Sequence, residues 1–403
     1  MEYLLSIVIP TRNRQYYALE SVKQILSVTD DRVQIIVSDN SDDNSLEAVI
    51  AELQSSRIKY QFISTRIPGV DNYGNGIAMS DGRYVCCIGD DDGVLRYAVD
   101  VAEWADKNGI KAIKPGTQCT YLWPNAVEIY KTGNLSVDAV NLNYWYEDVG
   151  KNLRTFLRSG CLDLMGALLP KAYHGIVRRD MFEKIKEKTG RYCGGLSPDI
   201  YLSVSLSLLV DKVLCMNAPL TIFGVCKAST SADTLNKLSY GRLEDAPHFV
   251  GQAYEWSSKV PRYYCRYNIW ADSALHAIND MRAYDLMEEF SVESLTAQCK
   301  IEYGGFKKEI KENFELNHGD KKLLGKLLRK RYPKYFVSVF KAKMRRNKFI
   351  FGMYRKMREE YQKRSQSETF TLLDVITITQ AEAMVSEALR GKFAELIAKL
   401  EGN

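Results

Sequence analysis

DGRYVCCIGDDD, residues 81–92, sets a β-rich apolar run directly against three consecutive carboxylates. Asp90, Asp91 and Asp92 repel one another, and holding them together at a strand end is costly without a cation. Hard divalent cations such as Mg²⁺ and Mn²⁺ take oxygen ligands and are commonly shared between carboxylates and substrate phosphates, so the triplet reads as a metal site. A solvated acidic turn closing the strand is the competing reading, of equal weight on the triplet alone.

Outward from this run the pattern repeats. LLSIVIP (4–10), VQIIVSD (33–39) and IKYQFIS (58–64) are further β-rich runs that end in polar or Gly/Pro residues. Between the first two, Tyr16, Leu19, Val22, Lys23 and Leu26 keep helical spacing, as does SLEAVIAEL (45–53) between the second and third. Strands alternating with helices predict an α/β fold, a mostly parallel sheet with helices on both faces, whose ligands bind at the carboxyl ends of the strands. There the first strand ends in Pro10, Thr11, Arg12 and Asn13, the second in Asp39, and the acidic triplet follows the strand at 83–89. Carboxylates, amides and a hydroxyl on one edge suit a nucleotide. For Asp39 an Asx-turn is the alternative, which explains Ser41 to Ser45 better than Asp39 itself.

The alternation continues less regularly, with a helix over 98–107, a strand at 110–115, a loop-rich stretch from Trp123 to Gly160 and an apolar helix after Pro198. Beyond about residue 228 strands largely vanish and helical segments take over. The expected organisation is one α/β domain over 1–235, in two halves at 1–100 and 100–235, then a basic helical module over 236–403.

No apolar stretch approaches the roughly 20 residues of a spanning helix, and the opening segment reads as a strand rather than a secretory leader. Nine scattered cysteines without CxxC spacing fit a reducing cytoplasm and no zinc or disulfide framework. Cys86 and Cys87 read as small buried hydrophobes. The net charge of +5 is uneven: from Lys321 to Arg364 there are seventeen Lys and Arg against Glu359 and Glu360, which leaves the remainder of the chain at −10. Interleaved with Leu, Phe, Tyr and Met, this block faces either an anionic membrane or nothing but solvent, its apolar side then being the module's own core. Nucleic acid is disfavoured, because no binding motif accompanies the charge.

The chain resembles the family 2 glycosyltransferases of the GT-A fold through Ile-Pro-Thr-Arg-Asn at 9–13, Val-Ser-Asp-Asn-Ser at 37–41, Asp-Asn-Tyr-Gly-Asn-Gly-Ile-Ala at 71–78 and the 81–92 run. The resemblance is dense from Leu4 to Asp92, weaker to about Ala228 and absent beyond. It implies that Pro10, Thr11 and Asn13 line the nucleotide, that Asp39 accepts a hydrogen bond from the base, and that Asp71 and Asn72 sit close to the donor. Asp90 to Asp92 stand for the DxD motif, with Asp90 and Asp91 at the donor and Asp90 and Asp92 on Mn²⁺ or Mg²⁺. Many members read Leu-Asp-x-Asp-Asp where this chain reads Ile-Gly-Asp-Asp-Asp, so which carboxylate is the main ligand stays open.

An inverting transfer also needs a base, and GLSPDIYLS (195–203) resembles the place where the family carries it, which makes Asp199 the candidate. Ser197 as N-cap and Pro198 at the first helical position put Asp199 in a first turn, where acids are common for stability alone. His174 reads as a structural hydrogen-bonder before an acceptor contact. Arg178 and Arg179 suit either the diphosphate or a solvated strand end.

The implied activity is inverting, metal-dependent transfer from a nucleotide-sugar, UDP-sugar by preference, to a glycan or lipid-linked glycan in surface polysaccharide assembly. The implied location is cytoplasmic, with peripheral membrane contact through 321–364. The rivals are a catalytically inactive binding module of the same fold and a sugar nucleotidyltransferase. The latter ordinarily carries a Gly-rich loop after its first strand, and IPTRNRQYY has no glycine.

Overall fold

The computed structural model describes residues 3–126, 131–164, 166–229, 240–245, 254–346 and 370–402. Its centre is an eight-stranded sheet. Strands β1 (Leu5–Thr11), β2 (Val33–Asp39), β3 (Ile58–Phe62) and β4 (Tyr84–Cys87) are mutually parallel in the order β3-β2-β1-β4. The sheet continues past β4 with β10 (Ile176–Arg178), β6 (Ala112–Pro115), β11 (Lys212–Met216) and β9 (Tyr144–Asp148). β10 is antiparallel to both neighbours, so β6 again runs with β4.

A second sheet, in the order β15-β8-β7-β12-β5, joins β15 (Phe370–Leu373), β8 (Asn134–Val137), β7 (Cys119–Leu122), β12 (Thr221–Val225) and β5 (Gly93–Val94). β13 (Tyr240–Gly241) and β14 (Tyr264–Cys265) form a separate ribbon. Strands thus recur beyond residue 228 and inside the stretch read as loops. They are short, and their pairing partners lie far off in sequence, so local periodicity does not report them.

Side-chain alternation on the central sheet divides the apolar residues into two cores. Ile7 and Ile9 of β1 face one side, with helix α1 (Gln15–Val28) and helix α4 (Tyr97–Lys107). Val8 faces the other, with α3 (Gly69–Met79), α5 (Val149–Arg158), α6 (Arg179–Thr189), α7 (Pro198–Ser207) and the helices at Arg266–Asp280 and Val292–Glu302.

The expected split at residue 235 differs from this arrangement. Residues 260–324 complete the second core, and the C-terminal helix Ile378–Glu401 returns to the first, burying Ile378, Val385, Leu389, Phe393 and Leu396. Phe393 stacks on Tyr97 with ring centroids 3.8 Å apart. Arg96 also pairs with the buried Glu382 at 3.0 Å. Each fully buried apolar side chain contributes on the order of 1.5–3 kcal/mol, against ~0–1 for a pair with one half-exposed partner, so packing holds this helix in place. The sequence shows an amphipathic helix but does not show which core it completes.

Candidate functional site

Register brings the strand ends together. Thr11 pairs with Asp39 at the ends of β1 and β2, while β4 stops at Cys87 opposite Val8. The chain then continues beside β1, with the Ile88 N–H donating to the Val8 carbonyl at 3.0 Å, and this carries Asp90 up to Thr11.

The three carboxylates differ in what they touch. Asp90 accepts from the Thr11 hydroxyl at 2.6 Å and from Arg14 Nε at 3.0 Å, and its other oxygen lies 2.6 Å from an Arg14 terminal nitrogen. Asp91 accepts the Cys226 N–H at 2.9 Å, and its second oxygen lies 3.7 Å from Arg14. Asp92 is enclosed by protein groups: it accepts the Gly224 N–H at 2.7 Å on one oxygen and the Gly89 N–H at 2.6 Å and the Tyr173 hydroxyl at 2.9 Å on the other, which also lies 3.1 Å from His174 Nε2. The Asp90 and Asp92 side chains have 0% exposure, whereas that of Asp91 keeps 6%.

Burial pushes the Asp90 carboxyl up, Arg14 pulls it back and Asp91 pushes it up again. Asp91 is raised by burial and by Asp92, against Arg14. Burial also acts to raise Asp92, but His174 and the Gly89 and Gly224 N–H groups outweigh it and bring the carboxyl below its usual range.

The donor set is chemically suited to a hard cation, and of the three carboxylates only Asp91 keeps any exposed side-chain surface. One carboxylate supplemented by substrate phosphates is a normal site for Mg²⁺ or Mn²⁺. Asp90 and Asp92, on which the sequence reading sets the metal, have no exposed side-chain surface.

The other expected donor residues divide the same way. Pro10 and Thr11 are buried at the end of β1. Asn13, in the left-handed region at φ 54°, is exposed and locked to the next strand end: its N–H donates to Ser41 Oγ at 2.8 Å and its amide to Asp42 at 2.8 Å. Asp39 is fully buried and builds the Asx-turn, accepting from the Ser41 N–H at 2.8 Å and from the Tyr60 hydroxyl at 2.9 Å. Asn72 ties α3 to both strands, donating to the Thr11 carbonyl at 3.2 Å and the Ser38 carbonyl at 3.1 Å, while Asp71 beside it is exposed. Arg178 pairs with Asp180 and Arg179 with Glu183. They stand beside Tyr84 at the start of β4, at the opposite edge from the triplet.

Asp199 lies in the first turn of α7 with Pro198 at its start. Burial raises its carboxyl to about 6, with His174 and Lys171 pulling it down and Asp92 pushing it up. Tyr73 of α3 shares its surroundings. His174, at φ 59°, bridges Thr221 at 2.7 Å and Asp92, which is the structural role weighed for it.

Arg14, Tyr173 and Cys226 escape the sequence reading, since nothing local marks a contact across 76, 81 or 135 residues. Gly224 belongs with them: a Cβ built there would lie 1.7 Å from the Asp91 carbonyl oxygen. Gly224→Ala is expected to cost about 1–3 kcal/mol by forcing β12 away from the triplet, and urea denaturation of the variant checks it.

Residues 6–113 match the model of the family described as Glycosyl transferase family 2. A curated relative, the GalNAc(5)-diNAcBac-PP-undecaprenol beta-1,3-glucosyltransferase of Campylobacter jejuni, is 33% identical over 98 residues, which are 24% of this chain and 32% of that protein. The chain therefore spans about a third of that relative's length. Among solved structures, S. aureus TarS 1-349 with UDP-GlcNAc aligns at 12% identity and TM-score 0.44 over 77% of this chain and 89% of TarS 1-349. The same protein with UDP aligns at TM-score 0.39 over 90% and 92%. With the motifs gathered on one edge of the sheet and the model matching from β1 to β6, residues 6–113 of the chain are similar to the family 2 glycosyltransferases.

Proposed function

We propose that this chain transfers a sugar, with inversion, from a nucleotide-diphosphate sugar to a lipid-linked glycan acceptor. The observation that carries the reading is the presence of two kinds of carboxylate: the Asp90–Asp92 cluster with Arg14 at the donor edge, and the partly buried Asp199 in the first turn of α7, which feels the charges of Asp92 and His174. Mn²⁺ or Mg²⁺ held through Asp91 would neutralise the leaving diphosphate. Asp199 takes the proton of the acceptor hydroxyl as its oxygen bonds to the anomeric carbon, and the bond from that carbon to the diphosphate oxygen breaks on the opposite face. Arg14 fixes Asp90 and supplies positive charge beside the diphosphate. The Campylobacter relative's lipid-linked substrate supports the acceptor class.

The test is thermal melting of the full chain against UDP-, dTDP-, GDP- and CMP-sugars with and without Mn²⁺. A rise for one nucleotide, UDP first, that requires the metal supports the reading; a ligand at 100 times its Kd adds about 2.7 kcal/mol. No rise with any of them, in folded protein, favours the inactive binding module.

Peripheral membrane contact belongs to the same proposal. No helix among the described residues is long and apolar enough to cross a membrane. The helix Lys321–Arg346 instead exposes Leu323, Tyr332, Phe336 and Val337 among its Lys and Arg residues. The rest of the basic block, 347–364, lies outside the described residues. Each basic residue at an anionic surface contributes about 1 kcal/mol. The chain is expected to sediment with phosphatidylglycerol vesicles at low salt, to be released at high salt, and to lose affinity at least tenfold in Phe336→Ser combined with Lys330→Glu and Lys334→Glu. Equal binding to neutral vesicles would remove this part of the proposal.

A further inference from the structure

Lys114 is a lysine where the pattern calls for an apolar residue. It lies on β6, opposite Cys215 of β11, and is 4% exposed. Its neighbour Ala112, on the same face of β6, belongs to the core that contains α3 and α7. Lys114 therefore points to the side of the sheet that carries Asp199. Among the described residues no carboxylate lies within ion-pairing distance of its ammonium, and no hydrogen bond satisfies it. Set in a strand flanked on both sides and without a protein partner for its ammonium among the described residues, Lys114 is placed to receive an anionic group.

A second lysine stands beside it. The carbonyls of Lys171 and Ile113 crowd the same point, 2.1 and 2.9 Å from a Cβ built on Gly175, so the segment carrying Lys171 runs directly against β6. The two ammonium groups sense each other: burial and Lys114 together lower Lys171 to about 8. The acids that act on Lys114 make other contacts. Asp163 accepts the Gly166 N–H at 2.8 Å, and Glu147 accepts from Trp145 at 2.8 Å and from Asn152 at 3.2 Å. Asp199 is the third carboxylate that Lys171 faces.

Position separates this pair from the donor. β6 lies two strands from β4 and parallel to it, so Lys114, near the carboxyl end, sits on the same edge as the Asp triplet but about 10 Å along it, roughly the length of a disaccharide's reach from the metal side. Asp199 feels the charges of both Lys171 and Asp92.

We propose that Lys114 and Lys171 form an anion-binding acceptor subsite that seats a phosphoryl group of the acceptor beside the hydroxyl that Asp199 deprotonates. Two neighbouring ammonium groups match a dianion, and lysine serves as a compact point charge for phosphate. The phosphoryl group belongs to a glycosyl phosphate or to a lipid-linked diphosphate. This deepens the transfer reading above and rests on it for the identity of Asp199, but anion binding is measurable without any sugar transfer.

The experiment is calorimetric titration of the full chain with inorganic phosphate, and separately with inorganic pyrophosphate, in EDTA at constant ionic strength. Without a metal the Asp triplet repels anions, so the donor edge is silent. Wild type is expected to bind, at least tenfold more weakly in Lys114→Met and in Lys171→Gln, with affinity recovered in Lys114→Arg and unchanged in the exposed-surface variant Lys107→Ala. Preference for pyrophosphate assigns a diphosphate acceptor, and preference for phosphate a monophosphate. Equal binding by wild type, Lys114→Met and Lys171→Gln overturns the subsite, as does binding of acetate in place of phosphate. Should Lys114→Met fail to fold, Lys171→Gln and Lys114→Arg decide alone. Failure of the transfer reading would appear instead as absent metal-dependent nucleotide binding, with phosphate binding intact.

Discussion

Asp199→Asn is expected to lower kcat for sugar transfer by about 10²–10⁴-fold, the usual worth of a general base, while nucleotide-dependent melting stays as in wild type. The asparagine keeps the shape of the first turn of α7 and removes only the proton acceptor. The same residue sets the pH profile. Its carboxyl is held up to about 6 by burial, with His174 and Lys171 lowering it and Asp92 raising it. Only the ionised form accepts a proton, so kcat/KM is expected to rise about tenfold per pH unit up to about 6 and then level off. Lys171→Gln, which takes away a positive neighbour, should move that limb to higher pH. An acidic limb near 4, or transfer by Asp199→Asn at wild-type rate, would dismiss Asp199 as the base.

Asp92→Ala and Asp91→Asn are expected to fail in opposite ways. Asp92 holds the Gly89 and Gly224 N–H groups, the Tyr173 hydroxyl and His174 on a carboxylate with no exposed surface. Removing it leaves three donors without their acceptor and His174 without the carboxylate beside it, and about 3–5 kcal/mol of stability should go with it. Asp91→Asn keeps an oxygen for the Cys226 N–H and relieves repulsion within the triplet, so the fold should hold. The Mn²⁺-dependent response to nucleotide should nevertheless be lost. Urea denaturation and thermal melting with Mn²⁺ and nucleotide, run on both variants, separate the two outcomes. Equal stability in both would mean that Asp92 is no more structural than its neighbour.

Much of this was legible from the chain. The parallel strands announce themselves because strands buried on both faces read as near-continuous apolar runs, as LLSIVIP and VQIIVSD do. The placement of Asp199 follows from local chemistry, a Ser-Pro-Asp start that requires a helix. The division of labour within Asp90–Asp92 was not legible. It depends on donors brought in from 76 to 135 residues away, and adjacent carboxylates look alike until their neighbours are known. Asp39 shows the opposite limit: its Asx-turn is a local feature, set aside in favour of the nucleotide, and the structure builds it. Lys114 was hidden for a third reason, since one lysine in AIKP looks like an ordinary exposed position until the strands on both sides bury it.

The return of the C-terminal helix to α1 and α4 has a consequence for biosynthesis. Part of the first core's cover is translated long after the strands it covers, so these wait for residue 393 before Tyr97 meets Phe393. Contacts of such long sequence separation slow folding and leave apolar surface uncovered in the meantime. Nascent chains stalled before residue 378 should accordingly engage holding chaperones, and release of the finished chain should free them.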